Sequence, residues 1–537
     1  MSHSEKSLSV SSPALQVSAR DSKSHYGVII MGAGLSGMAA AIQIKRKMGF
    51  EDVLVYEKSG DVGGTWNYNR YPGAACDIPF TFYSFSFAPA YNASSQWAGQ
   101  KEILNYLHDV QHRFSLNNIV FRTAVECARF SRETGLWTLS IRDLATNTTR
   151  TRTCNVLISC LGGLSIPNEP PFDPKEFSGE VWHSARWRED VSLKGKDVVI
   201  VGNGCSAAQI VPEIVNQAGT VTQIARSRQS VIRRIPTPDN WFLRFLMRYL
   251  PGVGFIVRAL IFFVMESFFK ITDIEKGQKY RDKTVKDTIE YIKETAPQKY
   301  WEVLKPDFDV AAKRRVFDSG YYASLNAPNM ELIADDTVTT VKGDKVYTKN
   351  GRVVKADVIV LATPDALRPV DLFPVKIIND KGVQLQDQLS GNGIKTFQST
   401  LVHDFPNFFW IMGPQSATGH SSVLFTSECQ ITYVSLFLFA LRWKAAAPPR
   451  LTFRLLAPIL AKLRKPQLLI PAPFVEVTKE AEDAFMVDIR REMKKKVWEK
   501  DGGVSWYVDP RTGLCHIKFW ARCTFMRLKD KFVWTGC

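Results

Sequence analysis

The sequence predicts an α/β protein with two Rossmann-type dinucleotide-binding units and a helical insertion, and three observations carry that prediction. A short apolar strand at residues 27–31 runs at once into Gly32-Ala-Gly34-Leu-Ser36-Gly37 and a small-residue helix start. The arrangement recurs at 197–201 with Gly202-Asn-Gly204-Cys-Ser206-Ala207, and the stretch 241–271 is strongly apolar with no such motif. Strand, glycines and helix together cradle a pyrophosphate: the glycines permit the tight turn and close backbone approach, and the helix N-terminus presents unpaired amides to the anion. With 537 residues, 45% hydrophobic and 23% charged, the chain is long enough for several domains and is neither wholly disordered, collagen-like nor coiled-coil.

In the first unit the next strand, 53–56, ends at Glu57, 20 residues beyond Gly37, where a carboxylate accepts from a ribose hydroxyl. In the second, the strand at 221–225 ends in Arg226, followed by Ser227 and Arg228. An acid there repels a 2′-phosphate whereas Arg226, with Arg228, pairs with one, so the second nucleotide is expected to be NADPH. Two such folds in one chain indicate a flavoprotein that uses a nicotinamide, with FAD first in order. The expected division is a serine-rich disordered tail at 1–25, an FAD domain at 26–165 and 370–537, and an NADPH domain at 166–369 with the insertion at about 238–310. Strands at 357–361 and 408–412 are expected to return the chain to its two sheets.

Lys and Arg exceed Asp and Glu by 69 − 53 = +16, which suggests an anionic partner. The basic run at 490–500 is interleaved with Glu492 and Glu499 and reads as a solvated helix face, so no nucleic acid is expected. Nine cysteines with no CxxC pair indicate a reducing, cytoplasmic compartment and disfavour a disulfide reductase, and eight histidines in no ligand spacing indicate no metal site. Arg244, Arg248, Arg258, Glu266 and the Pro251-Gly252 break divide the apolar 241–271 stretch into two amphipathic helices rather than a membrane span. The first reading of these helices is protein core or substrate pocket; the second is peripheral membrane contact. The Pro-rich basic stretch 444–473 reads first as a solvated loop and helix and second as a contact for a membrane or a partner. Oligomeric state is not legible.

Between the glycine motifs lie Gly63-Gly64-Thr65-Trp66, Arg70-Tyr71-Pro72-Gly73 and Cys76-Asp77, with Tyr83 following; before the second stands Phe177-Ser-Gly179 through His183 to Trp187. At these residues the chain resembles a Baeyer-Villiger monooxygenase, over roughly 26–515, with further matches at Lys313-Arg314 and at Gly413-Pro414 in the returning FAD segment. The resemblance implies that NADPH reduces FAD, that O2 is activated on the flavin, and that a carbonyl substrate becomes an ester or lactone. It implies Arg314 as the catalytic cation and Lys313 on the NADPH phosphate. Asp77 beside the flavin would orient Arg314. Trp66 and Tyr83 are implied as flavin-pocket walls, and His183 and Trp187 as braces of a linker. The form of Asp77-Ile-Pro79 and of 419–422 is similar to fungal secondary-metabolism members such as the averufin oxidases of polyketide pathways; the partners expected are a small-molecule apolar carbonyl and O2, and the apolar 241–271 stretch makes a bulky polyketide or terpenoid the expected substrate. Arg188 and Pro364 depart from the family pattern. The competing readings are a flavin monooxygenase that hydroxylates or oxidises nitrogen or sulfur, and a catalytically silent flavoprotein scaffold.

Overall fold

The computed structural model describes residues 21–164, 166–234, 240–363, 374–391, 394–416, 420–443, 474–498 and 500. The strand His25–Met31 is apolar and buried almost throughout, as a central parallel strand must be. It pairs in parallel with Val53–Tyr56 on one side and Thr149–Ser159 on the other. On its other edge Thr149–Ser159 serves two further partners: residues 149–154 pair antiparallel with Leu136–Asp143, and 157–159 pair in parallel with Phe408–Trp410. Ile119–Val120 closes one edge of this sheet, while Thr123–Ser131 and Lys376–Ile378 extend the other. The helix Leu35–Met48 covers it through Met38, Ala39, Ala40, Ala41, Ile42 and Ile44, and ends at Gly49 in the left-handed conformation with Lys45, Arg46 and Lys47 in its last turn.

The second sheet is wholly parallel, in the order Met330–Ala334, Thr220–Ala225, Asp197–Val201, Val358–Leu361, Glu180–His183. Its helix, Cys205–Ile214, buries Ala207, Ala208, Ile210, Val211 and Ile214. The strand around 357–361 thus joins the second sheet and the one around 408–412 the first. The chain is already structured before residue 25: the buried Asp21 carboxylate accepts from the Tyr26 and Tyr56 hydroxyls at 3.1 and 3.0 Å and pairs with Arg150 and Arg152 at 3.0 and 2.7 Å. Residues 21–25 therefore belong to the fold rather than to the expected tail, because four donors bind one carboxylate there. Residues 1–20 lie outside the described residues, as do 444–473, Pro364 and 501–537.

The 241–271 stretch forms two helices, Trp241–Tyr249 and Val253–Ser267, but it is not core: Trp241, Phe242, Phe245, Phe255, Leu260 and Phe263 are among its exposed side chains. Apolar composition cannot tell an inward face from an outward one. These helices lean on the first unit, with Gly254 against the Tyr91 ring and Phe262 against Phe82 and Phe425.

The two units are docked through the loop at 71–77. Tyr71 donates to Gln209 at 3.0 Å and accepts from Ser206 at 3.3 Å, and Gln209 donates to the Ala75 carbonyl at 3.0 Å. Gly73 has φ of 78°, and a Cβ on it would stand 2.4 Å from the Gln209 carbonyl oxygen. Backbone strain and overlap then act together, so Gly73→Ala is expected to lower stability by roughly 2–4 kcal/mol in denaturant unfolding while leaving either sheet's own residues unaltered. A change under about 0.5 kcal/mol, the usual size for a neutral surface substitution, counts against this packing.

Candidate active site between the two glycine helices

Both helix starts are built to receive an anion. Gly34 and Gly204 occupy the N-cap positions of Leu35–Met48 and Cys205–Ile214, neither helix has a side-chain cap or an acid in its first turn, and nothing lies within 4 Å of the Cβ position of Gly204. The first amides of each helix have no intrahelical acceptor, which leaves them for a phosphate. Gly32 and Gly202 make the tight turns that precede them, with φ of 96° and 115°. At Gly37 a Cβ would meet the Gly32 carbonyl oxygen at 1.8 Å, so the helix can close onto the turn only with glycine there. Gly64, at the N-cap of the short helix Thr65–Tyr68, backs directly onto Gly34: a Cβ on Gly64 would stand 3.0 Å from the Gly34 Cα. Thr65 begins that helix, and two motifs 30 residues apart in sequence thereby meet.

Glu57 is buried, and its two carboxylate oxygens accept from the Ala33 and Ser59 amides at 2.7 and 2.8 Å. A carboxylate oxygen has two lone pairs, so this anchorage still leaves acceptor capacity for a ribose hydroxyl. Ser36 shares a 2.9 Å hydrogen bond with Ser427 of the helix Val423–Trp443, tying the first turn to a distant element. Trp66 donates its indole N–H to the Tyr83 hydroxyl at 3.0 Å, with the rings edge-on at 5.9 Å, and burial raises the Tyr83 phenol well above its usual range, so it stays protonated. In the returning segment Gly413 and Pro414 are buried; a Cβ on Gly413 would stand 2.6 Å from the Trp410 ring, so packing against Trp410 requires the glycine. The gaps and donors of the first unit fit FAD.

In the second unit Ala207 is buried and Arg226 exposed at the strand end. Ser227 holds the Asn203 side chain through its carbonyl at 2.7 Å, and its hydroxyl accepts from Lys313 at 3.3 Å. Lys313 also donates to the Arg228 carbonyl at 2.8 Å; burial lowers its ammonium, and the neighbouring positive charge of Arg226 adds to the effect. Ser227 and Arg228 line a cleft with Asn203, Tyr321, Leu332 and Asp335, and Lys313, within the electrostatic reach of Arg226, is bonded to both, a donor set that fits the phosphate of NADP. Arg228, at the same cleft, also has partners within the protein: it donates to the Glu302 and Lys305 carbonyls at 2.9 and 3.3 Å and faces Asp307 and Asp335 at 3.8 and 3.5 Å.

Arg314 joins the halves. Its guanidinium donates to the Asp77 carboxylate in a partly buried ion pair, 237 residues apart in sequence. Cys205, at the start of the second glycine helix, lies against the same guanidinium, and burial pushes its thiol up to about 11, so it remains a neutral neighbour. Sequence reasoning passed over Cys205 as one scattered cysteine; its position inside the second glycine motif was the available signal.

His183 is a brace. Its Nδ1 accepts from the Ala185 amide at 3.1 Å, so Nε2 carries the proton and donates to the Thr363 carbonyl at 3.0 Å. Burial lowers its pKa. Trp182 and Trp187 meet edge-on at 5.7 Å beside it, and Arg188 is a surface residue paired with Asp190 and Glu180 at 2.7 and 3.4 Å. Among the described residues no group of His, Cys, Asp and Glu is placed to hold a metal ion.

The sequence pattern of the flavin-binding monooxygenase-like family matches residues 25–249. A Baeyer-Villiger monooxygenase of Pseudomonas aeruginosa is 30% identical over 515 residues, covering 95% of this chain and 89% of the relative. One from Streptomyces coelicolor is 29% identical over 500 residues, covering 90% and 87%. An FAD-binding monooxygenase of Aspergillus niger is 30% identical over 430 residues, covering 77% and 69%. Among solved structures, an oxidised steroid monooxygenase bound to NADP superposes with a TM-score of 0.73 at 26% identity, over 92% of this chain and 95% of that one.

The neutral His183 sets a pH dependence. Its folded pKa lies below the ordinary 6.5, so the folded state binds fewer protons; its contribution is complete above pH 6.5 and is lost as pH falls toward the lowered folded value. His183→Gln, which keeps a donor and an acceptor, is expected to flatten this part of the stability profile, and His183→Ala to cost about 1–2 kcal/mol at pH 8. Chemical unfolding across pH 5 to 8 measures both; a wild-type slope retained in the Gln variant would exclude His183 as its source.

Proposed function

The chain belongs to the Baeyer-Villiger monooxygenases of the flavin-binding monooxygenase-like family, FAD- and NADP-dependent enzymes, and from that premise we propose that it inserts one oxygen atom of O2 beside the carbonyl of a bulky apolar secondary metabolite. The observation that carries this reading is the Arg314–Asp77 pair, which sets a permanent cation between the two nucleotide cradles. When bound, FAD supplies the oxygen-transferring chemistry and NADPH the hydride.

The chain's own residues do the rest. The amides at Gly34–Ser36 and Gly64–Thr65 hold one dinucleotide and Glu57 fixes its ribose, while Gly204–Ser206 hold the other and Arg226, Ser227 and Lys313 take its 2′-phosphate. Arg314 stays charged at any working pH, and Asp77 fixes the direction of its guanidinium. Where negative charge grows on oxygen during attack on the carbonyl, a preoriented cation in a site shielded from water lowers the barrier. Trp66 and Tyr83, locked to each other, exclude water from one side. A fungal branch akin to the averufin oxidases of polyketide pathways rests on the form of 77–79 and 419–422 and has in its favour that fungal FAD-binding monooxygenases stand among the relatives; the bulky polyketide or terpenoid substrate is read from the apolar 241–271 stretch, and the outward face of that stretch gives it no pocket wall.

Product analysis with a panel of large apolar ketones is the direct test; exclusive turnover of small polar ketones would overturn the substrate class. Arg314→Ala is expected to keep FAD content and lose about 10²–10³-fold in oxygenated product, the scale of one removed oxyanion donor, and undiminished product would remove Arg314 from the chemistry. Arg226→Ala is expected to reduce the preference for NADPH over NADH by about 10- to 100-fold, the worth of one charge-assisted phosphate contact, read from kcat/KM with each nucleotide. An unchanged ratio would place the 2′-phosphate elsewhere.

A further inference from the structure

The helix pair at 241–267 is amphipathic in the reverse sense of a soluble surface helix. On Val253–Ser267 the outward positions are Phe255, Ile256, Leu260, Phe263, Val264 and Ser267, with Phe255 75% and Phe263 67% exposed and no charge among them. Its charges are turned inward: Arg258 donates to the Ser84 hydroxyl at 3.1 Å and to the Thr81 carbonyl, and Glu266 meets His420 at 3.3 Å. Trp241–Tyr249 repeats the arrangement. Met247 is buried, Trp241, Phe242, Phe245 and Tyr249 project outward, and the turn that follows carries Leu250 and Pro251 to the exterior. Arg244 and Arg248 flank its aromatic face, Arg248 exposed and stacked on Tyr249 at 5.3 Å.

A contiguous apolar face of this kind marks a binding surface, and we propose that it rests in the interface of an anionic lipid bilayer. Four observations favour lipid over a second copy of the chain. The two helices together have the length and composition of a membrane span but are bent by 117°, and no single described helix is long and apolar enough to cross, so the pair lies along a bilayer rather than through it. Protein interfaces carry polar groups that fix a register, and on the outward face of Val253–Ser267 the hydroxyl of Ser267 is already bonded to the Val264 carbonyl at 2.6 Å. Trp241 and Tyr249 beside Arg244 and Arg248 are the side chains that suit the boundary between acyl chains and headgroups. The chain's charge of +16 repels a second copy and is drawn to a negative membrane surface.

The test is flotation of the full-length, FAD-loaded protein with vesicles of phosphatidylcholine containing about 30 mol% phosphatidylserine, a surface charged enough to attract basic segments. The protein is expected to float with the vesicles, less so as salt is raised toward about 1 M, and Phe255→Glu with Phe263→Glu is expected to reduce the bound fraction at least ~10-fold with FAD content and NADPH oxidation retained. Absence of flotation overturns the proposal. So does a dimer in sedimentation that the same two substitutions dissolve, because a second copy then covers the face. Should the double variant lose FAD, quenching of tryptophan fluorescence by brominated lipid decides: loss of part of the quenching in Trp241→Phe supports the bilayer, and identical quenching in both proteins overturns it.

Discussion

Everything at the centre of this molecule depends on how closely the loop at 71–77 approaches the second glycine helix. The Gly73 backbone lies where any side chain would strike the Gln209 carbonyl, and Tyr71, Ser206 and Gln209 close hydrogen bonds around that contact. The same loop ends at Asp77, so seating it delivers the carboxylate to Arg314. An ion pair spanning two units, partly withdrawn from water, contributes little net stability because desolvation offsets most of the attraction. Its value is geometric: it exists only when both units are docked, so the cation is aimed only when both cradles face each other.

The elements that were legible in the sequence are those whose physics is local. A buried strand, a positive-φ glycine and a helix N-terminus occupy a dozen contiguous residues, and their spacing to Glu57 or Arg226 follows from one strand-helix-strand unit. Lys313 and Arg314 were legible only by resemblance, since nothing near them in sequence reveals that they meet Ser227 and Asp77. The contacts that sequence could not display join distant segments: Gly64 on Gly34, Ser36 on Ser427, Cys205 on Arg314. Arg228 illustrates the same limit: its type and place were legible, but not the two backbone carbonyls and two carboxylates it meets at the edge of the cleft.

The apolar helices were misread for a related reason. Hydrophobic content is a property of a segment, whereas burial depends on which side of the helix its few charges take. In the sequence Arg258 and Glu266 only interrupt the apolar run; in the fold they are the inward anchors, and the uncharged side is left outside.

That inversion couples the outer surface to the site. Arg258 grips the Thr81 carbonyl and the Ser84 hydroxyl, on either side of Tyr83, and Phe82 packs on Phe262 of the same helix. From the other side Glu428 accepts from the amide and hydroxyl of Ser86; burial raises its carboxyl while the opposite charge of Arg258 works against that rise. The wall containing Tyr83 is therefore held between one inward charge from the insertion and one from the helix Val423–Trp443. A rigid-body displacement of the 253–267 helix cannot leave residues 81–84 in place without breaking buried, charge-assisted hydrogen bonds, which cost more than neutral ones. Whatever the outer face rests on thus bears on the position of Tyr83, and through its hydroxyl on Trp66 beside the first glycine cradle.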